Sequence, residues 1–267
     1  MWRLGATLAP TSTRSLSCCG SRDRLRYHSG YLCIRVLVQA ARGESVSVSN
    51  GRQAADAVAL VYDALKSDLV SGQYAVGSVF QETELCARMG VSRTPVREAV
   101  RKLAQEGFVE KVARGWQVRE RTPEEILALY DVLIPLESTA AALATERITE
   151  FQLAGLTRII EERAGLESSD PATAALNRKF HELLWAAAGN EVLLDYIHQL
   201  RNLLAVYKPA FLFRTAKDTE AEEHEVVYRA IANRDVAEAR DAMAEHLRQG
   251  RNSLVAAFLV DASTTYQ

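Results

Sequence analysis

Residues 90–107 read GVSRTPVREAVRKLAQEG, and their spacing leaves this stretch few ways to fold. Val96, Val100 and Leu103 recur at i, i+4 and i+7, the period of one buried face of an α-helix. Arg93, Arg97 and Arg101 recur every four residues on another face. Pro95 suits a first helical turn, whose N–H groups have no partner within the helix. The spacing therefore predicts a helix starting here with Thr94 as its N-cap. One side packs on a core and the other holds out guanidinium groups. The N-terminus adds a partial positive charge suited to a phosphate oxygen.

The flanking sequence gives that helix its companions. Glu84, Leu85 and Met89 belong to a short helical pattern that stops at Gly90, and Val91 and Ser92 alone separate it from the arginine helix. Two helices joined by a tight Gly turn form a helix-turn-helix. An earlier stripe of Ala57, Val61, Leu65, Leu69 and Val70, broken at Gly72, supplies a third helix. Downstream, Phe108–Val112 and Gln117–Arg119 read as strands around Ala113, Arg114, Gly115 and Trp116, a hairpin wing with Arg114 at its tip. By itself an arginine stripe is equally a solvated helix face. The order of three helices, a Gly turn and a basic hairpin within residues 54–121 decides for a DNA-facing surface.

Charge supports the division of labour. Residues 86–121 hold nine Lys or Arg against four Asp or Glu, whereas residues 122–267 hold 14 against 23. Positive charge thus sits on the arginine helix and wing, where phosphate neutralisation needs it. The acidic remainder excludes a general nucleic-acid-coating protein and reads as a separate unit. A chain of 267 residues can hold two domains, here 54–121 and 122–260, each with its own core. The longest apolar run, Leu254–Val260, is far too short to span a bilayer, so no membrane association is expected.

Three of the four cysteines, Cys18, Cys19 and Cys33, lie near the start, without zinc-type spacing; Cys86 reads as a small buried apolar residue. A reducing cytoplasm fits this usage. Residues 1–53 are rich in Arg, Ser and Gly and lack a sustained period. Their composition is compatible with a transit peptide, and Leu32–Ala41 with a poor signal core that Arg35 interrupts. The reading adopted is a disordered extension or an upstream start, with the true start nearer Val46 or Val48.

After the wing, Thr122, Pro123 and Glu125 make a helix start with a capping box. Similar starts recur at Thr149 with Gln152, at Asp170 with Pro171 and at Asp235 with Glu238, and turns at Gly189–Asn190, Pro209 and Asn233–Arg234. Between them run helical patterns that predict an antiparallel bundle of six or seven helices, with Pro135 kinking or interrupting the first. The fold class is therefore mainly α: a winged helix-turn-helix of three helices and a hairpin, then an all-helical bundle. In the second half His181, His224 and His246 fall on three different helices, and Asn177 shares a face with His181. Converging imidazoles and a side-chain carbonyl suit Zn, Ni or Mn. Spacing alone equally allows one core histidine and two surface ones. His28 and His198 are given no role.

The stretch Leu85–Gly107, centred on GVSRTPVREAV, resembles the winged helix-turn-helix of the GntR family of transcriptional regulators. YDVLIPLESTAAALA (130–144), NRKFHELLWAAAGN (177–190), EHEVVYRAIANRDVAEAR (223–240) and MAEHL (243–247) resemble the helical effector domain of its FadR-type subgroup. The resemblance covers residues 54–260. It implies a homodimer on a short pseudo-palindromic double-stranded operator, with the arginine helix in the major groove. Carried onto this chain, it makes Arg93 and Arg97 base-edge readers, and gives Ser92, Thr94, Arg114 and Gly115 the phosphate backbone. It implies a divalent metal on Asn177, His181, His224 and His246, Zn before Ni or Mn, and a small organic-acid effector. The chain departs from the subgroup at Leu133, where many members carry an effector-binding Arg three residues after the motif Tyr130 and four before Glu137. Asn177 is likewise neutral where many relatives have Asp.

Three functions follow as expectations. The first is a regulator, in sense a repressor, controlled by the acid. The second is a metalloenzyme using Glu182, Glu223 or Glu245 as general base, which neighbouring helical positions about 100° apart make awkward. The third is a metal-free dimerisation module. Regulation is the reading preferred, and no enzymatic activity is expected.

Overall fold

The computed structural model describes residues 50–167, 170–211 and 220–264, and these contain nine helices and one three-stranded sheet. Helix α1 (Asn50–Val70) buries Val61, Leu65 and Leu69 along the predicted stripe. It begins at Asn50, so the last residues of the segment expected to lack periodic structure are helical, as the helix formers Arg52, Gln53, Ala54 and Ala55 favour. The rest of residues 1–53, with the expectations placed on them, lies outside the described residues. Strand β1 (Val79–Phe80) leads into α2 (Glu82–Met89), which stops at Gly90 with φ 65°, a left-handed cap that a side chain resists.

Helix α3 (Arg93–Gln105) buries Pro95, Val96, Ala99, Val100 and Leu103. Its N-cap is Ser92 rather than Thr94, and Ser92 makes no side-chain capping bond. Pro95 accordingly stands at the third helical position, still inside the turn whose N–H groups have no helical partner. Strands β2 (Val109–Val112) and β3 (Gly115–Val118) pair antiparallel with Val112 opposite Gly115. The turn is therefore Ala113–Arg114 alone, shorter than predicted. Trp116 is a strand residue, buried and opposite Phe80 of β1, in a sheet of order β1-β3-β2. The sequence offered no signal for β1, which has two residues and no alternation to count.

The bundle comprises six helices among the described residues. They are α4 (Pro123–Arg147), α5 (Glu150–Ala164), α6 (Ala172–Ala187), α7 (Glu191–Phe211), α8 (Glu220–Ala232) and α9 (Val236–Thr264). Thr122 and Thr149 cap α4 and α5 with the predicted boxes, and Asp235 Oδ1 accepts from the Glu238 N–H at 3.0 Å. Helix α6 starts at Ala172, whose N–H donates to Asp170 Oδ1 at 2.8 Å. Pro135 does not interrupt α4. It lies on the exposed face, where water can satisfy the carbonyl it deprives of a donor. Pro209 does not end α7 either; it falls in the last turn, where little remains to break.

Helix α4 is long and apolar enough to cross a membrane by length and a mean hydropathy of 1.6. Here it is the axis of the bundle, packed by α6, α7, α8 and α9, with the fully buried carboxylate of Glu137 at its middle. Arg234, with φ 58°, turns α8 into α9 and donates to the Thr145 and Ile148 carbonyls at 2.9 Å each, satisfying the C-terminal end of α4. Both halves belong to one compact unit, Ser49–Gln267.

Candidate nucleic-acid interface and metal centre

The heptad-like burial of Val96, Val100 and Leu103 against α1 fixes the rotation of α3, and this leaves Arg93, Arg97 and Arg101 exposed. Between α2, α3 and the hairpin lies a cleft of ≈ 550 Å³ whose lining includes Arg97, Arg101, Lys111 and Arg114 together with Glu82 and Trp116. Ser92 and Thr94 are exposed at the start of α3, and Arg114 at the tip of the turn. Gly115 has φ 140°, and a Cβ there would lie 2.4 Å from the Phe80 carbonyl oxygen. The position therefore admits only glycine without moving β1. Of the residues expected to face DNA, the structure brings Arg97, Arg114 and Gly115 together in the lining of this cleft, whereas Ser92, Arg93 and Thr94 lie at the exposed start of α3, outside that lining.

In the bundle, Phe180, Leu184 and Trp185 turn one face of α6 inward and carry His181 with them. His224 enters from α8 and His246 from α9, and all three imidazoles are buried. One nitrogen from each lies within 4.8 Å of the others. His246 Nε2 is 3.3 Å from His181 Nε2, while His246 Nδ1 is 2.8 Å from Glu223 Oε2. A carboxylate on Nδ1 fixes the tautomer with Nε2 facing the other two rings. His224 Nε2 is buried without a hydrogen-bond partner among the described residues. Phe180 stacks on His224 at 4.5 Å between centroids, holding its plane.

Electrostatics keep the His181 and His224 rings neutral. Burial lowers the His181 pKa to about 3; Arg201 adds to that effect and Glu137 opposes it. His224 lies well below the ordinary value, first through burial and then through His181 and His246. Neutral imidazoles present lone pairs, which is what a metal requires of them. Beneath His181, Glu137 Oε2 lies 3.4 Å from Nδ1 and accepts from Arg201 Nη2 at 2.7 Å and from Trp185 Nε1 at 3.2 Å. Arg201 Nε donates to the other oxygen. Burial would raise the Glu137 pKa, but Arg201 above all, with His181, holds it down to about 2.

Asn177 lies one turn before His181, half-buried, and its Nδ2 donates to Glu220 Oε1 at the start of α8. The glutamates considered as general bases stand elsewhere. Glu182 faces His198 at 3.6 Å, Glu245 pairs with Arg248 at 3.3 Å, and Glu223 sits behind His246. Leu133 is wholly buried in the core. Cys86 is only partly buried, packed against the edge of the core.

The family model for bacterial regulatory proteins of the gntR family matches residues 58–118, and the FCD domain model matches residues 128–249. The chain belongs to the GntR family. Its GntR half coincides with α1 to β3 and its FCD half with the bundle that holds the three histidines. The uncharacterized HTH-type transcriptional regulator YdhC of Bacillus subtilis is 31% identical over 147 residues, 54% of this chain and 66% of that protein. The HTH-type transcriptional repressor GlaR of Escherichia coli is 26% identical over 198 residues, 70% of this chain and 90% of the relative. Among solved structures, E. coli McbR/YncC superposes with a TM-score of 0.64 at 24% identity, covering 79% of this chain and all of the other, which supports the fold. The GntR protein described here is a transcriptional regulator, not an enzyme, as are its relatives.

Four residues of this GntR protein's sites take roles that no local signal announces. Glu137 and Arg201 are 64 residues apart, and nothing in either helix announces the other. Glu220 and Glu223 stand in an acidic run that reads as a solvated helix start. An acid at 223, immediately before His224, was the only hint.

Proposed function

We propose that this regulator binds a pseudo-palindromic operator as a homodimer, and that a small organic acid held at a metal in the bundle sets its operator affinity. The observation that carries this reading is the convergence of His181, His224 and His246, three buried imidazoles from three helices. The donor set fits Zn, with Ni or Mn as alternatives. Zn–N bonds of about 2.05 Å in tetrahedral array separate ligand nitrogens by about 3.3 Å, and the His181 and His246 Nε2 atoms are 3.3 Å apart. The unpartnered His224 Nε2 would take a third position. With Nδ2 donating to Glu220, Asn177 keeps its carbonyl oxygen as the fourth ligand atom. A metal bound there would take a carboxylate by expanding its coordination beyond these four ligands.

The cation that Leu133 does not supply comes, in this reading, from Arg201. Its Nε and Nη2 serve Glu137, and the guanidinium carries further donors for an acid. On the DNA side Arg93 and Arg97 read base edges, while Ser92, Thr94, Arg114 and Gly115 hold the backbone. Occupancy of the bundle shifts the placement of the winged halves, so operator affinity changes by a coupling free energy. Repression is the sense proposed, after the repressor GlaR, and the cytoplasm the compartment.

Metal analysis of gently purified protein tests the centre, and binding-site selection with and without chelator tests the coupling. About one metal per chain, lost in His224→Ala, with a change in operator affinity on chelation, is expected. Protein that never holds metal, with selected operators bound equally in both conditions, sinks the reading.

A further inference from the structure

We infer that Glu82 is a positioning residue for base recognition, holding Arg97 by its Nε so that the terminal fork of the guanidinium faces the DNA. This rests on the reading of Arg97 as a base-edge reader. Glu82 is the one acidic side chain lining a cleft that Arg97, Arg101, Lys111 and Arg114 make strongly basic. An acid there opposes phosphate binding, since it repels the partner the cleft attracts. Its position is nonetheless closely defined. Oε1 accepts from Trp116 Nε1 at 3.1 Å and Oε2 from Arg97 Nε at 3.4 Å. Trp116 is itself held, 8% exposed, by β1–β3 pairing.

The arrangement selects between two ways in which an arginine can grip guanine. Nε with one Nη makes a side-on fork, whereas Nη1 with Nη2 makes an end-on fork to O6 and N7. Glu82 occupies Nε, so the end-on fork remains. The Arg97 side chain is 52% exposed and the Glu82 side chain 20%, so the anchor is the better buried of the two. Burial tends to raise the Glu82 pKa, but Trp116 and Arg97 hold it below the ordinary value, so the anchor stays charged.

A positioning role makes a prediction of mixed sign. Glu82→Gln keeps an acceptor for the Trp116 indole but removes the charge. Binding to unrelated duplex should tighten about twofold or more, because one repulsion with phosphate is gone. Discrimination at one base pair should fall about tenfold, and that base pair should be the one relaxed by Arg97→Ala. In the Glu82→Gln, Arg97→Ala double variant the two losses should not add. Trp116→Phe, with Glu82 retained, should relax the same base pair.

The experiment is a fluorescence-anisotropy panel of single base-pair variants of the selected operator, read for all four proteins beside a thermal melt. If Glu82→Gln relaxes a different base pair from Arg97→Ala, Glu82 reads a base itself and the inference is overturned. Uniform weakening at every sequence, with a lowered melting temperature, overturns it too by making Glu82 a fold residue. A panel in which Arg97→Ala relaxes no base pair removes the reading of Arg97 and this inference together.

Discussion

Arg121 Nη1 donates to the Tyr207 hydroxyl at 2.7 Å, joining the end of the winged half to helix α7 of the bundle. The hydroxyl donates onward to the Arg119 carbonyl at 2.7 Å, and Arg121 Nη2 donates to the Gly107 carbonyl at 2.9 Å, just past the end of α3. Gly107 has φ 82°, and a Cβ there would lie 2.9 Å from Arg121 Nη2, so glycine admits both the turn and the guanidinium. Six residues before Tyr207 on the same helix is Arg201, the partner of Glu137 beneath His181. At 1.5 Å per residue the two are about 9 Å apart along the axis. Helix α7 thus reaches the histidine centre through Glu137 and the end of the arginine helix through Arg121.

Tyr207→Phe should weaken that connection. Tyr207 is 4% exposed, so the loss leaves the Arg119 carbonyl and one Arg121 donor short of a buried partner. The cost to stability should be about 1–3 kcal/mol, measured as a shift in urea midpoint. The informative readout is the ratio of operator affinities with and without chelator. It should move toward unity in Tyr207→Phe, and an unchanged ratio would remove α7 from the route.

Breaking the Glu137–Arg201 pair should be worse than removing it. Glu137 is fully buried, so Glu137→Gln leaves the Arg201 charge without its counter-ion, at a cost of about 3–5 kcal/mol. Replacing both, as Glu137→Leu with Arg201→Met, should recover much of that loss while abolishing any response to carboxylates. Chemical denaturation of the wild type and the two variants orders them, and a double variant less stable than Glu137→Gln would contradict the ion-pair account.

Acid should unfold the metal-free protein in two stages. His181 and His224 have folded pKa values below the unfolded one near 6.5, so the unfolded chain binds more protons once pH drops below 6.5. Stability is therefore full above that value and falls as pH goes down, by about 1 kcal/mol per pH unit for each ring. Glu137, also depressed, adds its own loss below its ordinary value of 4.5, continuing toward about 2. Urea titrations from pH 7.5 to 4 measure the slope, which should be shallower in His224→Phe. Bound metal should make the fall steeper, because protons then also compete for the rings.

The parts of this molecule that could be read from sequence are those whose evidence is local. Val96, Val100 and Leu103 set a helix and its rotation within eight residues, and Thr122, Pro123 and Glu125 set a helix start within four. The three histidines could be named but not assembled, because periodicity gives the inward face of each helix and not which faces meet. Trp116 reads in the sequence as a turn residue because Gly115 beside it looks like a turn glycine. Its glycine is required instead by β1, a strand too short to leave a pattern. Glu82, Glu137 and Arg201 were out of reach for one reason: each is defined by a partner on another element.

Gly115 provides the sharpest separation of backbone strain from steric conflict. Gly90 and Gly115 both have positive φ, 65° and 140°. At Gly90 an added Cβ meets nothing within 4 Å, so Gly90→Ala should cost only the left-handed penalty, about 1–2 kcal/mol. At Gly115 the Cβ would lie 2.4 Å from the Phe80 carbonyl oxygen, a backbone atom that cannot turn aside. Gly115→Ala must push β1 away from β3 and shift Trp116, on whose indole Glu82 depends. The expected order is a larger fall in urea midpoint for Gly115→Ala than for Gly90→Ala, with operator affinity lost disproportionately in the first. Equal effects on stability would show that β1 yields readily, and would deprive the wing glycine of its steric explanation.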